Sequence, residues 1–162
     1  MSDISLLEQA FNELGISCEK VSHPPLFTAL DADNILLKRT GTRLKNLFLR
    51  DNYGKKHVLL ITSPDKQIDL KSLSKVMGFS RLGFASKERL AKYLGVKPGC
   101  VSMLALLNDI DNNVQLLIDS EVWQGEHFHC HPFDNTQTWI IAKPDLLSFF
   151  NHTKHSFTVL SL

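Results

Sequence analysis

Apolar positions recur along this chain in two periods, and the change from one to the other marks out the elements. Ile4, Leu7, Phe11 and Leu14 fall at helical spacing, and Gly15 stands where a helix would stop. Ser5 with Glu8 has the form of a capping box, displaced slightly inside the start. Ile16 to Val21 alternates apolar with polar, which predicts a strand. The prolines of His23-Pro-Pro-Leu-Phe-Thr28 fix an extended backbone. Thr28 to Lys38 is helix-compatible, with Ala29, Ala32, Ile35 and Leu36 on one side.

The stretch Gly41 to Asp51 predicts a strand through Leu47, Phe48 and Leu49, ended by the turn-like Asp51-Asn-Tyr-Gly54. A second strand at His57 to Thr62 suggests a hairpin. Asp69 caps a predicted helix to Val76 with Gly78 as its stop, and Ser86 caps another through Leu94 before Gly95. Short strands are expected at 81–85, 114–118, 126–131, 136–142 and 156–160. Pro144 suits the first turn of a helix to about Phe150. Asp111-Asn-Asn113 reads as a hairpin turn. Strands and helices mix without strict alternation, so the expected class is α+β with a mixed or mainly antiparallel sheet and flanking helices. A length of 162 residues fits one domain over 1–162.

Composition narrows the partners. No apolar run approaches the roughly 20 residues of a membrane span, and Met1-Ser-Asp-Ile-Ser lacks the features of a signal peptide. Three cysteines, Cys18, Cys100 and Cys130, argue against a disulfide framework and fit a reducing cytoplasm. Net charge is only +1, yet residues 38 to 56 carry seven basic side chains against the single acid Asp51. Residues 98 to 142 carry six acids and neither Lys nor Arg. The basic stretch is either a solvated surface or a contact for phosphate or RNA.

Four constellations are candidates for chemistry. Lys45 shares a strand face with Leu47 and Leu49 while Asn46 points the other way beside Phe48. The lysine is either an edge residue whose head reaches water or the rim of a pocket for an anionic or carbonyl ligand. His127-Phe-His-Cys-His131 puts three histidines on one strand face. Neighbouring members, about 6.8 Å apart, can clasp a metal, but all three on a straight strand cannot. A single one can instead serve as a proton-transfer or hydrogen-bonding group. Gly95-Val-Lys-Pro-Gly-Cys-Val-Ser-Met103 is a tight loop whose amides can face outward and steady an oxyanion, or an ordinary turn. Cys100 with His131 admits a Cys–His hydrolase reading, which needs a favoured thiolate. Asp109, Asp111 and Asp119 resemble a calcium loop in composition only, without its spacing.

Five segments in order change these weights: His23-Pro-Pro-Leu-Phe-Thr28, Lys45-Asn-Leu-Phe-Leu-Arg-Asp51, Leu94 to Ser102, Leu107-Asn-Asp109 and His131-Pro-Phe-Asp-Asn-Thr-Gln-Thr138. Together they resemble the YbaK/aminoacyl-tRNA editing domain family, and within it the free-standing prolyl-tRNA editing branch called PrdX or ProXp-ala. The resemblance covers essentially the whole chain.

Membership implies a cytoplasmic trans-editing deacylase that hydrolyses alanine wrongly attached to proline tRNA. It implies no metal, no cofactor, no membrane and no DNA. The need is physical, since a missing methylene in a synthetase pocket is worth only about 1–3 kcal/mol. By position, the family's essential lysine falls on Lys45, its glycine loop on Gly99 to Met103, and its His-Pro motif on His131. Asn46, Cys100, Val101, Ser102 and Met103 are implied to line the substrate site with Pro25, Phe27 and Thr28. Lys38, Arg39, Arg43 and Arg50 are implied to meet tRNA phosphates at the acceptor end. Transient contact with prolyl-tRNA synthetase is also implied. Met103 replaces the family's loop proline, which leaves open serine, threonine or cysteine esters, or a module that binds without turnover.

Overall fold

A computed structural model describes residues 3–26 and 39–162, so the helix expected over Thr28–Lys38 lies outside the described residues, as do Phe27, Thr28 and Lys38 of the expected site. The chain opens with α1 (Ile4–Glu13) and β1 (Glu19–Ser22). A hairpin of β2 (Lys45–Arg50) and β3 (His57–Thr62) follows, then α2 (Leu70–Met77), β4 (Gly83–Phe84) and α3 (Lys87–Leu94). A 3-10 helix (Met103–Asn108) leads to β5 (Val114–Asp119) and α4 (Ser120–Trp123). The chain closes with β6 (His127–Cys130), β7 (Gln137–Ala142), α5 (Lys143–Thr153) and β8 (Phe157–Leu160).

Two sheets result. One has three antiparallel strands in the order β1-β7-β6; the other has five in the order β4-β2-β3-β5-β8. In the larger sheet β2 runs antiparallel to β3 and β4, whereas β3, β5 and β8 are parallel, so the sheet is mixed. Every residue of β3 is buried, which explains why its sequence reads as a continuous apolar run rather than an alternation. On one face Phe48, Leu59, Ile61, Leu116 and Ile118 join Phe128, Trp139 and Ile141 of the smaller sheet in the main core, closed by Phe11 of α1 and Phe149 of α5. On the other face Leu49, Val58, Leu60 and Leu117 pack under Leu73 of α2 and Leu82.

Local signals hold with few exceptions. Asp69 and Ser86 cap α2 and α3, and Gly78 and Gly95 end them in the left-handed conformation. The cap of α1 is Asp3, whose side chain accepts from the Ser5 amide, rather than the expected Ser5–Glu8 box. The turn at 111–113 is no hairpin: it joins the 3-10 helix to β5, and a carboxylate rather than a strand partner closes it. The strand expected at 81–85 shrinks to Gly83–Phe84. No described helix is long and apolar enough to cross a membrane.

Candidate active site

The site starts from one bridge between the two sheets. Thr42 pairs in parallel with Phe128: its amide donates to the His127 carbonyl at 2.8 Å, and its carbonyl accepts from the His129 amide at 3.0 Å. Gly41 permits the approach. Its φ is +116°, and a Cβ there would lie 2.8 Å from the His129 ring, so both conformation and space require glycine. From the bridge the two segments run in one direction, and Lys45 and His131 each lie three residues beyond it. The bridge thus sets the segment leading into Lys45 beside the segment leading to His131. The His129 ring feels the charge of Arg43, and the His131 ring those of His23, Asp134 and His129.

Lys45 is half-buried, and its amine donates to the Lys66 carbonyl at 2.6 Å. Lys66 is itself held at its other end. Its ammonium meets Asp119 at 2.8 Å and Glu121 at 2.6 Å, and Asp119, wholly buried, also accepts from the Thr62 hydroxyl at 2.7 Å. The hydrogen bonds that the Lys66 ammonium donates to both carboxylates raise its pKa. Burial tends to raise the Asp119 carboxyl, but the bonds from Lys66, Thr62 and the Glu121 amide outweigh it and leave it below the ordinary carboxylate range. Sequence reasoning missed this group. The only local hint was an acid ending an otherwise apolar strand, Val114 to Asp119.

His131 is reached from the other side by the glycine loop. Lys97, Pro98, Gly99 and Cys100 form a turn closed by the Cys100 amide on the Lys97 carbonyl at 3.0 Å, with Gly99 at φ +86°. Proline then glycine with positive φ is the type II pattern. Ser102 is buried and does two things: its hydroxyl donates to the His131 carbonyl at 2.7 Å and accepts from the Leu104 amide at 3.1 Å. Among the described residues, the amides of Val101 and Met103 make no hydrogen bond. The Met103 side chain, 1% exposed, lies in the core, so packing restrains the flexible residue that replaces the family proline.

Burial pushes the His131 pKa down, so its ring is neutral at pH 7. Its Nδ1 faces the Gln137 carbonyl at 3.4 Å, and a carbonyl can only accept. The proton therefore sits on Nδ1 and the Nε2 lone pair is free to accept. His129 has the opposite tautomer, with Nε2 donating to the Thr40 carbonyl at 2.8 Å. His23 is buried, with Nδ1 donating to the Pro24 carbonyl and Nε2 accepting from the Thr138 hydroxyl at 2.9 Å. Asn46 lies on the core side of β2, and its Oδ1 is buried without a hydrogen-bond partner among the described residues. Such an acceptor costs about 1–3 kcal/mol until something donates to it.

Other expected residues divide. Pro25 is exposed three residues after β1. Arg39 pairs loosely with Glu19 at 3.7 Å, and Arg50 donates to the carbonyls of Asp51 and Asn52. Burial raises the Cys100 thiol pKa, which removes the favoured thiolate that the Cys–His reading required. Among the described residues no group of three or more His, Cys, Asp or Glu is placed to hold a metal. Two of the calcium-like acids serve structure: Asp109 accepts from His155, Asn113 and Val114, and Asp119 from Thr62 and Lys66.

Residues 23–149 match the model of the aminoacyl-tRNA editing domain. The chain is 33% identical over 151 residues to the prolyl-tRNA editing protein ProX of Acetoanaerobium sticklandii, covering 93% of this chain and 92% of that protein. It is 35% identical over 158 residues to prolyl-tRNA synthetase associated domain-containing protein 1 of Danio rerio, covering 96% and 85%. In fold it resembles the crystal structure of a candidate trans-editing enzyme for prolyl tRNA synthetase, with a TM-score of 0.71 at 17% identity over 100% of this chain and 99% of the other. With the match running from the His23 motif through the glycine loop to α5, the chain belongs to the aminoacyl-tRNA editing domain family.

Proposed function

We propose that this chain is an aminoacyl-tRNA deacylase acting in trans, and that its substrate is alanine esterified to proline tRNA. One observation carries the reading: the Thr42–Phe128 bridge sets the segments leading to Lys45 and His131 side by side, and Ser102 ties the glycine loop to His131. Water adds to the ester carbonyl, and the Val101 amide of the glycine loop steadies the oxyanion. The carbonyl–ribose bond then breaks, and the ribose oxygen leaves with the proton given up by the water. The Lys45 ammonium, with two donors left beyond its bond to Lys66, positions the terminal adenosine and ester. The free Nε2 of His131 accepts from the water or the ribose hydroxyl. Arg43 and Arg50 meet backbone phosphates, as do Lys38 and Arg39, and prolyl-tRNA synthetase is a transient partner that supplies the mischarged product.

The test is a deacylation assay on tRNAs mischarged with alanine, serine, threonine and cysteine. Preferential release of alanine from proline tRNA is expected; release of none of them would leave a binding module without turnover. Two further results follow from the geometry. Because burial depresses the His131 pKa, activity should hold as pH falls to the ordinary histidine value of 6.5 and decline only below it. A decline already complete at pH 7 would contradict a neutral, buried ring. Lys66→Met keeps the carbonyl that holds Lys45 but releases its tether to Asp119 and Glu121. We expect kcat/KM to fall about 10-fold through misplacement of Lys45, with Lys66→Arg restoring most of it. Activity unchanged in Lys66→Met would detach this network from the site.

A further inference from the structure

Beyond the Lys45 face, α2 and the segment after it enclose a groove of about 660 Å³, within the usual range of ligand sites. Its floor is apolar, from Leu70, Phe79 and Leu82, and its rim is Lys71, Lys75 and Arg81. The walls are fastened together: the Ser74 hydroxyl donates to the Leu70 carbonyl at 2.6 Å and accepts from the Leu82 amide at 2.9 Å. Two further hollows adjoin it. One shares Phe79 and adds Lys55 and Lys56; the other shares Arg81 and Leu82 and adds Arg50 and Phe84. Lys56 sits 5.0 Å over the Phe79 ring. No carboxylate lines any of the three. Among the described residues none of these six cations forms a salt bridge. In a chain of net charge +1, this is a concentrated positive surface with apolar ground between the charges.

That combination suits single-stranded nucleic acid, whose bases lie on apolar or aromatic surface while its phosphates meet cations. Position decides which strand. α2 begins four residues after Lys66, whose carbonyl holds the Lys45 amine. Its Leu73 covers Leu49 on the Lys45 side of β2. β4 then returns to pair with Leu49 and Arg50. The positive surface therefore runs from beside Lys45 toward the far end of β2, a span of roughly 17 Å at strand rise. We propose that it holds the unpaired nucleotides that precede the terminal adenosine of the substrate tRNA, with phosphates on Lys71, Lys75 and Arg81 and a base on the Leu70–Phe79–Leu82 floor. This rests on the deacylase reading, which puts the ester at Lys45.

The experiment measures binding of uncharged tRNA, which needs no catalysis, across a salt series. The variant is Lys71→Gln/Lys75→Gln/Arg81→Gln, all exposed positions. Its affinity should fall about 10-fold at low salt, and the log–log salt slope by about 2, near 0.7 for each single-strand phosphate no longer neutralised. Arg81→Lys alone should keep the slope. Removing the unpaired 3′ nucleotides from the tRNA should weaken the unaltered protein and erase its difference from the triple variant. Equal slopes for the two proteins would overturn the proposal. So would a difference that persists on the shortened tRNA, because the groove would then hold duplex. Displacement of tRNA by polyglutamate but not by a short single-stranded oligonucleotide would assign the groove to an acidic protein and overturn it as well. If the unaltered protein cleaves no ester yet shows the slope change, the deacylase reading fails and the groove remains.

Discussion

Replacing Lys45 by alanine is expected to lower kcat/KM for ester cleavage by about 10²- to 10³-fold, the scale on which loss of one preorganised polar group is felt at an acyl-transfer site. The reason lies in how the amine is held. It is half-buried and fixed at 2.6 Å on the Lys66 carbonyl, which is in turn anchored through the Lys66 side chain to Asp119 and Glu121. An ammonium so placed loses little freedom when substrate arrives, so its remaining donors act without reorganisation. Lys45→Arg should not restore the rate, because a planar fork cannot take the place of a compact ammonium already seated on a carbonyl. The fold should survive both changes, since Lys45 packs no main-core surface. A change in kcat alone would place the contact in the transition state, and a change in KM alone would make it a contact common to ground and transition states. Full activity in Lys45→Ala would remove the lysine from the mechanism.

Asp109→Ala is expected to produce the largest loss of stability, about 3–4 kcal/mol, because it strands three donors at once, two of them, Val114 and His155, buried. The Asp109 carboxylate, 3% exposed, accepts from the His155 ring at 2.8 Å and from the amides of Asn113 and Val114 at 2.9 and 2.8 Å. It thereby starts β5, which lies between β3 and β8 in the larger sheet, and fastens the end of α5 to it. For a chain of this length the melting temperature should drop by about 10 °C, and calorimetry would show it. A drop of under about 2 °C would mean that the three donors find other partners. The pH dependence has a definite sign. Burial tends to raise the Asp109 carboxyl, but the bonds from His155, Asn113 and Val114 prevail and hold it below its ordinary value of 3.8. Its stabilisation is therefore present above that value and lost as pH falls through the lowered one. The acid limb of the stability curve should flatten in the variant. His57, His129 and His131, all depressed chiefly by burial, act in the same direction. Their contribution is full above the ordinary value of 6.5 and declines as pH falls below it.

Much of the fold was legible from spacing. The caps Asp69 and Ser86 and the stops Gly78 and Gly95 stand where the pattern put them, because a cap is decided by residues within one helical turn. The span of β3 matches its apolar run residue for residue. The 3-10 helix at Met103–Asn108 was not anticipated, and its six residues are too few for a period to declare itself. The hairpin expected at 111–113 failed for a different reason. Turn chemistry marks where the chain bends but not what it joins, and here the bend follows a helix. At the site, the alternation of Lys45, Leu47 and Leu49 on one face and Asn46 and Phe48 on the other held. The conflict between an ammonium and an apolar face was resolved by a main-chain carbonyl that no pattern pointed to.

By itself, the sequence determined the elements, their caps and apolar faces, and through five ordered motifs the family. All of these are written in neighbours a few residues apart. Only the tertiary structure decided which faces meet. The His129 ring finds the Thr40 carbonyl across 89 residues, Thr62 finds Asp119 across 57, and His155 finds Asp109 across 46. Such pairings follow from the packing of the two sheets on one core. The same strands in another register would present the same local pattern with Lys45 facing something else.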